Sequence, residues 1–452
     1  MNLPQKFPDD ETLKREGVKL LGDLIRFDTT NPPGNESACA EYLGKWYESR
    51  GITGRVVESA PGRGSYIGRI KGAGPSLGAL LMLSHLDVVP AVASEWTVPP
   101  FSGELKDGYV WGRGALDCKG PVVMQALALA GLVEAGVKFR RDIVIGATAD
   151  EEMGGEKGVL WLLENRKDDL FAPFALNEGG GFGINARGKT WYTCQTSEKK
   201  ICWINLRARG DSGHASMPFE GSAMNNMAKA LAEISTHRAP INRESRHAVE
   251  AMWRLIAGWP GAIAARLATY PIIGDFLIAL ISDNVVRRMV KAMFTNTISI
   301  TVVHGGDKAN VIPSQVDATL DCRLLPGMSH EEMLEDIRRV AGKYGVTAEL
   351  STTSNGAYTE PDSDLFHAIE AAVTSLGPDH RVAPFMSTGA TDGRHLASHG
   401  CKVHGFMPLR PEKDAGSLLK TLHGVNERIS TENLVFGARL LADIIHRFCS
   451  EH

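Results

Sequence analysis

The spacing of apolar residues along the first 200 positions predicts alternating helices and strands. Leu13, Leu20, Leu24 and Ile25 recur with the period of an amphipathic helix. The runs that follow predict further elements, with strands at residues 80–83, 143–149 and 174–176 and helices at residues 121–135 and 158–163. This alternation predicts an α/β fold with a mostly parallel sheet flanked by helices.

The middle of the chain has a different pattern. Cys202, Ile204, Leu206 and Ala208 alternate with more polar neighbours, which is typical of an antiparallel strand. The elements predicted after this strand are a helix at residues 222–234, strands at 297–303 and 315–323, a helix at 331–344 and a strand at 346–350. The order β-α-β-β-α-β predicts a ferredoxin-like α+β domain.

An extra segment at about residues 238–295 interrupts this order, and its Trp, Ile, Ala and Arg content predicts helices. The α/β pattern resumes near residue 355 and closes with a helix predicted at residues 432–448. We therefore expect a smaller domain, residues 198–353, to be inserted into a larger domain formed by residues 1–197 and 354–452.

Composition excludes several classes of function. The chain has 452 residues, with 49 Lys and Arg against 53 Asp and Glu, and this near-neutral balance argues against a nucleic-acid partner. The longest apolar stretches, such as residues 77–83 and 276–281, are much shorter than the ~18 residues of a membrane span, so we expect no membrane partner. The N-terminus lacks the apolar core of a signal peptide, and seven cysteines without a CxxC pair predict reduced thiols in the cytoplasm.

Five segments carry histidines or carboxylates, and most of them directly follow predicted strands. They are residues 83–87, 112–120, 149–155, 176–181 and 422–427. The carboxyl ends of parallel strands meet at one edge of a sheet, where ligands of α/β proteins bind. Carboxylates gathered there repel one another unless cations offset their charge. Two histidines and three carboxylates suit two zinc ions that share one bridging ligand.

Each of these residues also has a simpler structural interpretation. Asp117 alone fits a helix N-cap, and Glu178 before three glycines fits a turn. His395, His399 and His404 are rival ligands, and a mononuclear or redox metal site and a non-catalytic binding protein remain alternatives. Other catalytic patterns are absent from the sequence, which has neither a Walker A motif nor H-E-x-x-H.

Taken together, the motifs SHLDVVP, GRGALDCKG, DEEMGG, NEGGG and HGVNERI resemble those of a known enzyme family. This family is the dinuclear zinc peptidases and deacylases, which include carboxypeptidase G, aminoacylase, acetylornithine deacetylase, succinyl-diaminopimelate desuccinylase and carnosinase-like dipeptidases. The resemblance covers nearly the whole chain, from about residue 20 to residue 448. It implies a zinc exopeptidase-like catalytic domain and an inserted lid and dimerisation domain.

The resemblance also implies the roles of the candidate residues. Asp117 would bridge two Zn²⁺ ions, for which Co²⁺ or Mn²⁺ are possible substitutes. His85 and Glu178 would complete one metal site, and Glu152 and His423 the other. Glu151 would be the general base, and Asp87 would orient His85. Position 118 is often acidic in relatives and is Cys here, so no role is assigned to its side chain.

In the smaller domain the resemblance implies that His214 reaches across a homodimer to bind the substrate carbonyl oxygen. Asn310 and Arg323 would hold a substrate carboxylate, and Gly389 and Thr391 belong to a glycine loop beside the metals. The expected function is hydrolysis of an amide bond in a small peptide or N-acyl amino acid with a free carboxylate. Peptidase and deacylase remain open, since Glu at the position of Glu178 is only weakly typical of deacylases.

Overall fold

The computed structural model describes residues 1–186, 188–280, 284–412 and 421–450, which form two compact units. Unit 1 comprises Met1–Thr196, Thr359–Phe385 and Thr391–His452, and unit 2 comprises Ser197–Tyr358 and Met386–Ala390. Residues 386–390 are predicted to belong to the catalytic domain, whereas in the structure they pack with unit 2. The Lys199 N–H donates to the Ser387 carbonyl at 3.1 Å, which joins this short segment to the start of unit 2.

Unit 1 contains a nine-stranded sheet with the order β1-β2-β6-β3-β7-β17-β9-β16, and β8 pairs with β9. The strands are β1 Gly54–Glu58, β2 Gly64–Ile70, β3 Leu80–His85, β6 Ile143–Thr148, β7 Phe174–Asn177, β8 Gly183–Ala186, β9 Lys189–Glu198, β16 His380–Ser387 and β17 Lys402–Gly405. The pairs β6–β3, β3–β7 and β7–β17 are parallel, so the parallel strands form the centre of the sheet. β1, β2 and β8 pair antiparallel towards its margins.

Helices and a small second sheet complete unit 1. The helices are α1 Asp10–Arg26, α2 Ser37–Glu48, α3 Lys119–Glu134, α4 Val159–Asn165, α5 Lys167–Leu170, α11 Asp364–Thr374, α12 Gly393–Ser398 and α13 Thr431–Cys449. A three-stranded sheet has the order β18-β5-β4, formed by β4 Glu104–Lys106, β5 Tyr109–Trp111 and β18 Arg428–Ser430. α3 is apolar on all sides and buried from its first residue to Leu132, because α1 and α13 pack against it.

Unit 2 has a four-stranded antiparallel sheet with the order β12-β14-β10-β15. Its strands are β10 Lys200–Arg209, β12 Thr297–His304, β14 Gln315–Leu324 and β15 Thr347–Ser354, and a separate ribbon pairs β11 Gly213–His214 with β13 Val311–Ile312. The helices α6 Ala223–Thr236 and α10 His330–Ala341 pack on this sheet. Ser222 caps α6, and Ser329 and Glu332 form a capping box at the start of α10.

The extra segment of unit 2 is helical, with α7 Arg243–Ala268, α8 Pro271–Ala279 and α9 Asn284–Phe294. Within the described residues, no single helix is long and apolar enough to cross a membrane. Trp259–Ala268 and Ile272–Ala279 pass that test only as a pair, by length and composition, and they are bent by 111°.

The predicted fold class is confirmed, since unit 1 is an α/β fold with helices around a sheet and unit 2 is an α+β fold. The strand order of unit 2 is that of a ferredoxin-like domain.

Candidate metal centre

The carboxyl end of β3 brings the first group of candidate ligands together. His85 is the last residue of this strand and is buried. Its Nε2 lies 3.0 Å from Asp117 Oδ1 and 3.5 Å from Glu178 Oε2. Asp117 precedes α3, and Glu178 follows β7, the parallel neighbour of β3. The sheet edge therefore assembles an imidazole and two carboxylates from three distant segments.

A second group forms on the other oxygen of Asp117. His423 Nε2 lies 3.0 Å from Asp117 Oδ2 and 3.3 Å from Glu152 Oε2. His423 has a left-handed backbone with φ of 55°, which few residues other than glycine adopt. Such strained conformations persist where the surrounding structure holds them, often at functional sites. Asp117 thus faces one histidine with each of its carboxylate oxygens.

The donor atoms of these two groups suit metal ions. In the first group, the candidate ligand atoms of His85, Asp117, Cys118 and Glu178 lie within 4.8 Å of one another, and those of Asp117, Glu152 and His423 do so in the second. Among the described residues, Glu152 Oε1 is buried and has no hydrogen-bond partner. A buried carboxylate oxygen without a partner is costly unless a cation satisfies it. Imidazole nitrogens and carboxylate oxygens are ordinary zinc ligands.

The pKa values of the group reflect burial and crowding of like charges. Burial and the nearby Glu178 raise the pKa of Glu151 well above its usual value. Hydrogen bonds with Asp117 and Glu152 raise the pKa of His423 to about 10. Burial opposes ionisation of Asp117, yet hydrogen bonds with His423 and His85 hold its pKa below the ordinary range. The centre is a cluster of negative charge that cations would stabilise.

Asp87 connects His85 to the segment that carries Glu151 and Glu152. The Asp87 side chain accepts the backbone N–H of Glu151 at Oδ1 and that of Glu152 at Oδ2, both at 3.1 Å. His85 Nδ1 lies 2.9 Å from the Asp87 carbonyl oxygen and 3.5 Å from its Oδ1. Burial opposes ionisation of Asp87, but hydrogen bonds from His85 and Asn31 outweigh it and lower its pKa. Asp87 therefore fixes both the imidazole and the neighbouring turn.

Glu427 has no role among the sequence-based predictions, although it lies in the HGVNERI motif. Its buried carboxylate accepts the backbone N–H groups of Leu116 and Asp117 at Oε1, at 2.7 and 3.0 Å. At Oε2 it accepts the Gly114 N–H at 3.1 Å and Arg113 Nη1 at 2.7 Å. Glu427 holds the loop that presents Asp117. The sequence signal that could have indicated this role is that Glu427 lies in the same short motif as the candidate ligand His423.

A second network missed from the sequence reaches the site through Asn31. The Asn31 amide donates to Asp87 Oδ2 at 2.8 Å and to Asp150 Oδ1 at 3.1 Å. Arg63 donates to the same Asp150 oxygen at 2.7 Å and binds Glu36 with two further hydrogen bonds of 2.8 Å. All five side chains are buried. Their spacing along the chain follows no period, so no local pattern indicated this network.

The candidates of unit 2 form two groups. His214 and Asn310 are neighbours at the β11–β13 ribbon, where the Ala215 N–H donates to the Asn310 carbonyl at 3.0 Å. The His214 side chain is exposed, and its Nδ1 lies 2.8 Å from Ser216 Oγ. Arg323 lies on β14 and makes a bidentate ion pair with Asp321, at 2.7 and 3.0 Å. This pairing holds the guanidinium in one orientation.

The two candidates of the glycine loop belong to different units. The Gly389 N–H, in unit 2, donates to Ser387 Oγ at 3.2 Å. Thr391, in unit 1, is buried, and its Oγ1 accepts the Asn177 amide at 2.8 Å and the Gly393 N–H at 3.2 Å. Asn177 directly precedes Glu178. The Thr391 hydroxyl therefore stabilises the segment that carries this carboxylate.

Two of the three rival histidines have partners elsewhere in unit 1. His395 Nε2 lies 2.9 Å from the Gly154 carbonyl, and His404 Nε2 lies 2.7 Å from Ser363 Oγ. His399 is exposed, and its Nδ1 lies 2.9 Å from the His395 carbonyl. Neither of the two groups of candidate ligands in the described residues includes any of them.

The sequence matches the model of a known protein family, "Peptidase family M20/M25/M40", over residues 81–447. Among curated proteins, the N-fatty-acyl-amino acid synthase/hydrolase PM20D1 of Xenopus tropicalis is 28% identical over 439 residues, covering 93% of this chain and 84% of the relative. Probable carboxypeptidase S-like 2 of Dictyostelium discoideum is 30% identical over 376 residues, covering 80% of this chain and 70% of the relative.

A solved structure shares the fold. The M20 family metallo-carboxypeptidase Sso-CP2 from Sulfolobus solfataricus superposes with a TM-score of 0.70 at 16% identity. The match covers 96% of this chain and 99% of that chain. Both units of the described structure therefore have a counterpart fold in an experimentally solved protein.

Proposed function

Since the chain belongs to peptidase family M20/M25/M40 and is a hydrolase, we propose that it cleaves the amide bond of small N-acyl amino acids or peptides with a free carboxylate. The observation that carries this proposal is the position of Asp117, whose two oxygens each lie 3.0 Å from a different histidine. One carboxylate shared between two sets of ligands supports a dinuclear centre.

Two zinc ions fit these donors, with Co²⁺ or Mn²⁺ as substitutes. His85, Asp117 and Glu178 would hold one ion, and Asp117, Glu152 and His423 the other. When bound, the ions supply Lewis-acid chemistry, which lowers the pKa of a water and polarises the substrate carbonyl. Asp87 orients His85 through its Nδ1 and keeps Nε2 directed at Asp117.

Glu151 has the position and the basicity of a proton carrier. Its Oε2 lies 4.0 Å from His85 Nε2, and burial together with Glu178 raises its pKa. In the proposed reaction Glu151 accepts a proton from the attacking water and passes it to the leaving nitrogen. Glu151 is outside both groups of candidate ligands, which supports a role as base.

Unit 2 would supply substrate-binding residues. The Arg323 fork suits a carboxylate, with Asn310 as a further donor and Gly389 and Thr391 in a loop beside the substrate. His214 would donate to the carbonyl oxygen as negative charge develops on it, from the partner chain of a homodimer.

An edge of the unit 2 sheet supports this dimer. β12 is the last strand on its side of the described sheet, and Ile300, Val302 and Val303 are exposed on it. An edge strand with exposed β-branched residues offers unpaired backbone groups to another chain. We therefore propose that β12 contributes to the dimer interface.

We propose N-acyl amino acids as the first substrate class to test, because the relative with 28% identity is named as an N-fatty-acyl-amino acid hydrolase. Dipeptides are the alternative, and the carboxypeptidase-like name of the second relative supports them. The seven cysteines are buried and free, which fits the proposed cytoplasmic location.

The test is a panel of N-acyl amino acids of increasing acyl length and of dipeptides, assayed with added zinc and after treatment with a chelator. We expect metal-dependent release of the free amino acid. Each substrate is paired with its C-terminal amide, which lacks the carboxylate. Absence of hydrolysis across the panel with two zinc ions bound per chain would contradict the proposal.

A further inference from the structure

The helical segment of unit 2 exposes large apolar side chains. Trp259, Ile263 and Leu267 follow one another at four-residue intervals on α7, so they lie on one face of the helix. Ile272, Phe276 and Leu280 repeat this spacing along α8 and at its end. Ile272, Phe276 and Leu280 are 86%, 67% and 70% exposed. We call these six residues the apolar face.

The C-terminal part of α7 packs inward through small residues, whereas the larger Val249 is buried nearer its N-terminus. Ala262, Ala265 and Ala268 of α7 are buried, whereas Trp259 and Ile263 of the same helix are more than half exposed. This arrangement inverts the usual one, in which the large apolar side chains fill the core. Several large apolar side chains exposed on one short segment are typical of an interaction surface. We therefore infer that the apolar face is a binding surface.

The segment that carries this face is positively charged, and two arginines lie beside the face. Residues 238–295 contain eight Arg and Lys against four Asp and Glu, a formal charge of +4, although the whole chain has −4. The exposed Arg254 stacks over the Trp259 ring at 4.1 Å. Arg266, next to Leu267, is 57% exposed, and its ion pair with Glu250 is long at 3.4 Å. Arginines beside Trp and aliphatic residues are the composition of helices that lie at a membrane surface.

The geometry of the two helical arms suits a position at the membrane surface. The arms Trp259–Ala268 and Ile272–Ala279 meet at 111°. At 1.5 Å per residue they extend about 15 and 12 Å, roughly half of the ~30 Å hydrocarbon core. Two short arms that each expose apolar side chains can lie in the plane of the headgroups.

We propose that the apolar face and its flanking arginines dock this protein on the surface of an anionic lipid bilayer. Charge complementarity favours lipid over a second copy of the chain, because a two-fold contact would place each arginine-rich surface opposite itself. The sequence-based expectation of no membrane partner rested on the lack of a spanning segment, which surface docking does not need. This proposal does not depend on the catalytic one.

The experiment is flotation of the intact protein with phosphatidylcholine vesicles, either alone or with 30% phosphatidylserine, at low and high salt. We expect binding to the anionic vesicles that weakens at high salt. Ile272→Glu with Phe276→Glu should weaken binding at least tenfold, since it replaces apolar contacts by like charge. Leu105→Glu, at a residue 51% exposed on β4 of unit 1, is the matched control and should bind as wild type.

Charge is tested separately. Arg254→Gln and Arg266→Gln should each weaken binding about fivefold, the effect of one basic residue near an anionic surface. Arg55→Gln, at a residue 61% exposed in unit 1, should have no effect. The Trp259 fluorescence should shift to the blue on anionic vesicles, and this component should be missing in Trp259→Phe. Melting temperatures of all variants verify that they fold.

Several outcomes would overturn the proposal. One is a wild-type protein that does not float with anionic vesicles. A second is an equal loss of binding in Leu105→Glu and in the double variant. A third is a loss of oligomers in the double variant, measured by sedimentation, without any vesicle binding by the wild type. This last result would assign the apolar face to a second copy of the chain.

Discussion

The carboxylate of Glu427 accepts the backbone N–H of Asp117 at 3.0 Å, and the side chain of Asp117 in turn lies 3.0 Å from both His85 and His423. The residue at the middle of the proposed metal centre is therefore positioned through its main chain by a second buried carboxylate. This relationship predicts that Glu427 controls metal binding although it contacts neither histidine through its side chain.

Glu427→Gln should weaken zinc binding by about 10- to 100-fold, the usual effect of removing a group that supports a metal ligand. It should also lower the free energy of unfolding by about 3–5 kcal/mol, because Arg113 is left buried beside a neutral group. Zinc titration against a competing chelator and urea unfolding provide the measurements. Glu233→Gln, which removes the exposed ion pair with Lys343, is the control. Equal zinc affinity in Glu427→Gln and wild type would contradict this role.

Substitution of Glu151 and substitution of Asp117 should have different effects, one on catalysis and the other on metal binding. Glu151→Gln should keep both metals and lose about 10²–10⁴-fold in kcat, the contribution of a general base. Asp117→Ala should lose metal, because one carboxylate serves both groups of ligands. Metal analysis together with steady-state kinetics separates the two effects. An empty site in Glu151→Gln, or two zinc ions in Asp117→Ala, would show that the roles are wrongly assigned.

Arg323→Ala should raise KM for substrates with a free carboxylate and have little effect on their amides. Charged hydrogen bonds contribute about 1.5–3 kcal/mol, so a ten- to hundredfold loss in kcat/KM is expected for the acids. Arg207→Ala is a matched control, since Arg207 pairs with Asp317 in the same sheet. Equal losses on acids and amides would make the pair of Arg323 and Asp321 purely structural.

Mixed dimers test whether His214 acts in trans. His214→Ala and Glu151→Gln homodimers should each be nearly inactive. A mixed dimer has one site with an intact Glu151 and a partner's intact His214, so it should recover activity approaching half the wild-type rate.

Tagged subunits verify that exchange has occurred, and Val303→Lys on β12 should reduce dimerisation by placing a charge at the exposed edge. Confirmed exchange without recovered activity would exclude the trans arrangement. Full activity of His214→Ala alone would exclude any catalytic role.

The lowered pKa of His404 makes the folding stability of the protein depend on pH. Burial, with a smaller effect of Lys402, lowers the pKa of His404 to about 3. In the unfolded chain the pKa of this histidine is about 6.5. Between pH 6.5 and 3 the imidazole is therefore protonated in the unfolded chain but not in the folded one, so stability falls as the pH decreases over this range. From pH 7.5 to 5.5 the wild type should lose roughly 1.4 kcal/mol more than His404→Gln in urea unfolding. Between pH 7.5 and 9 the difference in unfolding free energy between wild type and His404→Gln should stay constant. If the two proteins showed the same dependence of unfolding free energy on pH throughout, the lowered pKa of His404 would be contradicted.

The sequence predicted those elements that have a strong apolar pattern, whether periodic or a continuous run. The strands β3, β6 and β7 are short runs of buried apolar residues, and the structure extends or trims their predicted ends by one or two residues. β17 was missed, because its four residues, Lys402–Gly405, include Lys and His and have no apolar pattern. Its place in the sheet depends on pairing with β7, which is a tertiary interaction.

The candidate ligands were predicted because the five motifs that carry them are specific when taken together. Asn31, Arg63 and Glu427 act through partners up to 314 positions away, as for the bond between Glu427 and Arg113. A single sequence contains no periodicity that links such positions. Their contribution follows from burial and hydrogen bonding, which become visible only in the folded chain.

The short segment Met386–Ala390 means that the chain passes between the two units four times, not twice. If the chain passed between the units only twice, unit 2 would be one continuous segment. That segment could be deleted and the flanking ends of unit 1 joined. Here, excision of Ser197–Tyr358 would leave five residues that have lost the unit they pack with. Recombination between relatives would have to exchange both segments together. A chimera that grafts only the longer one should fold poorly, and one that transfers both should fold.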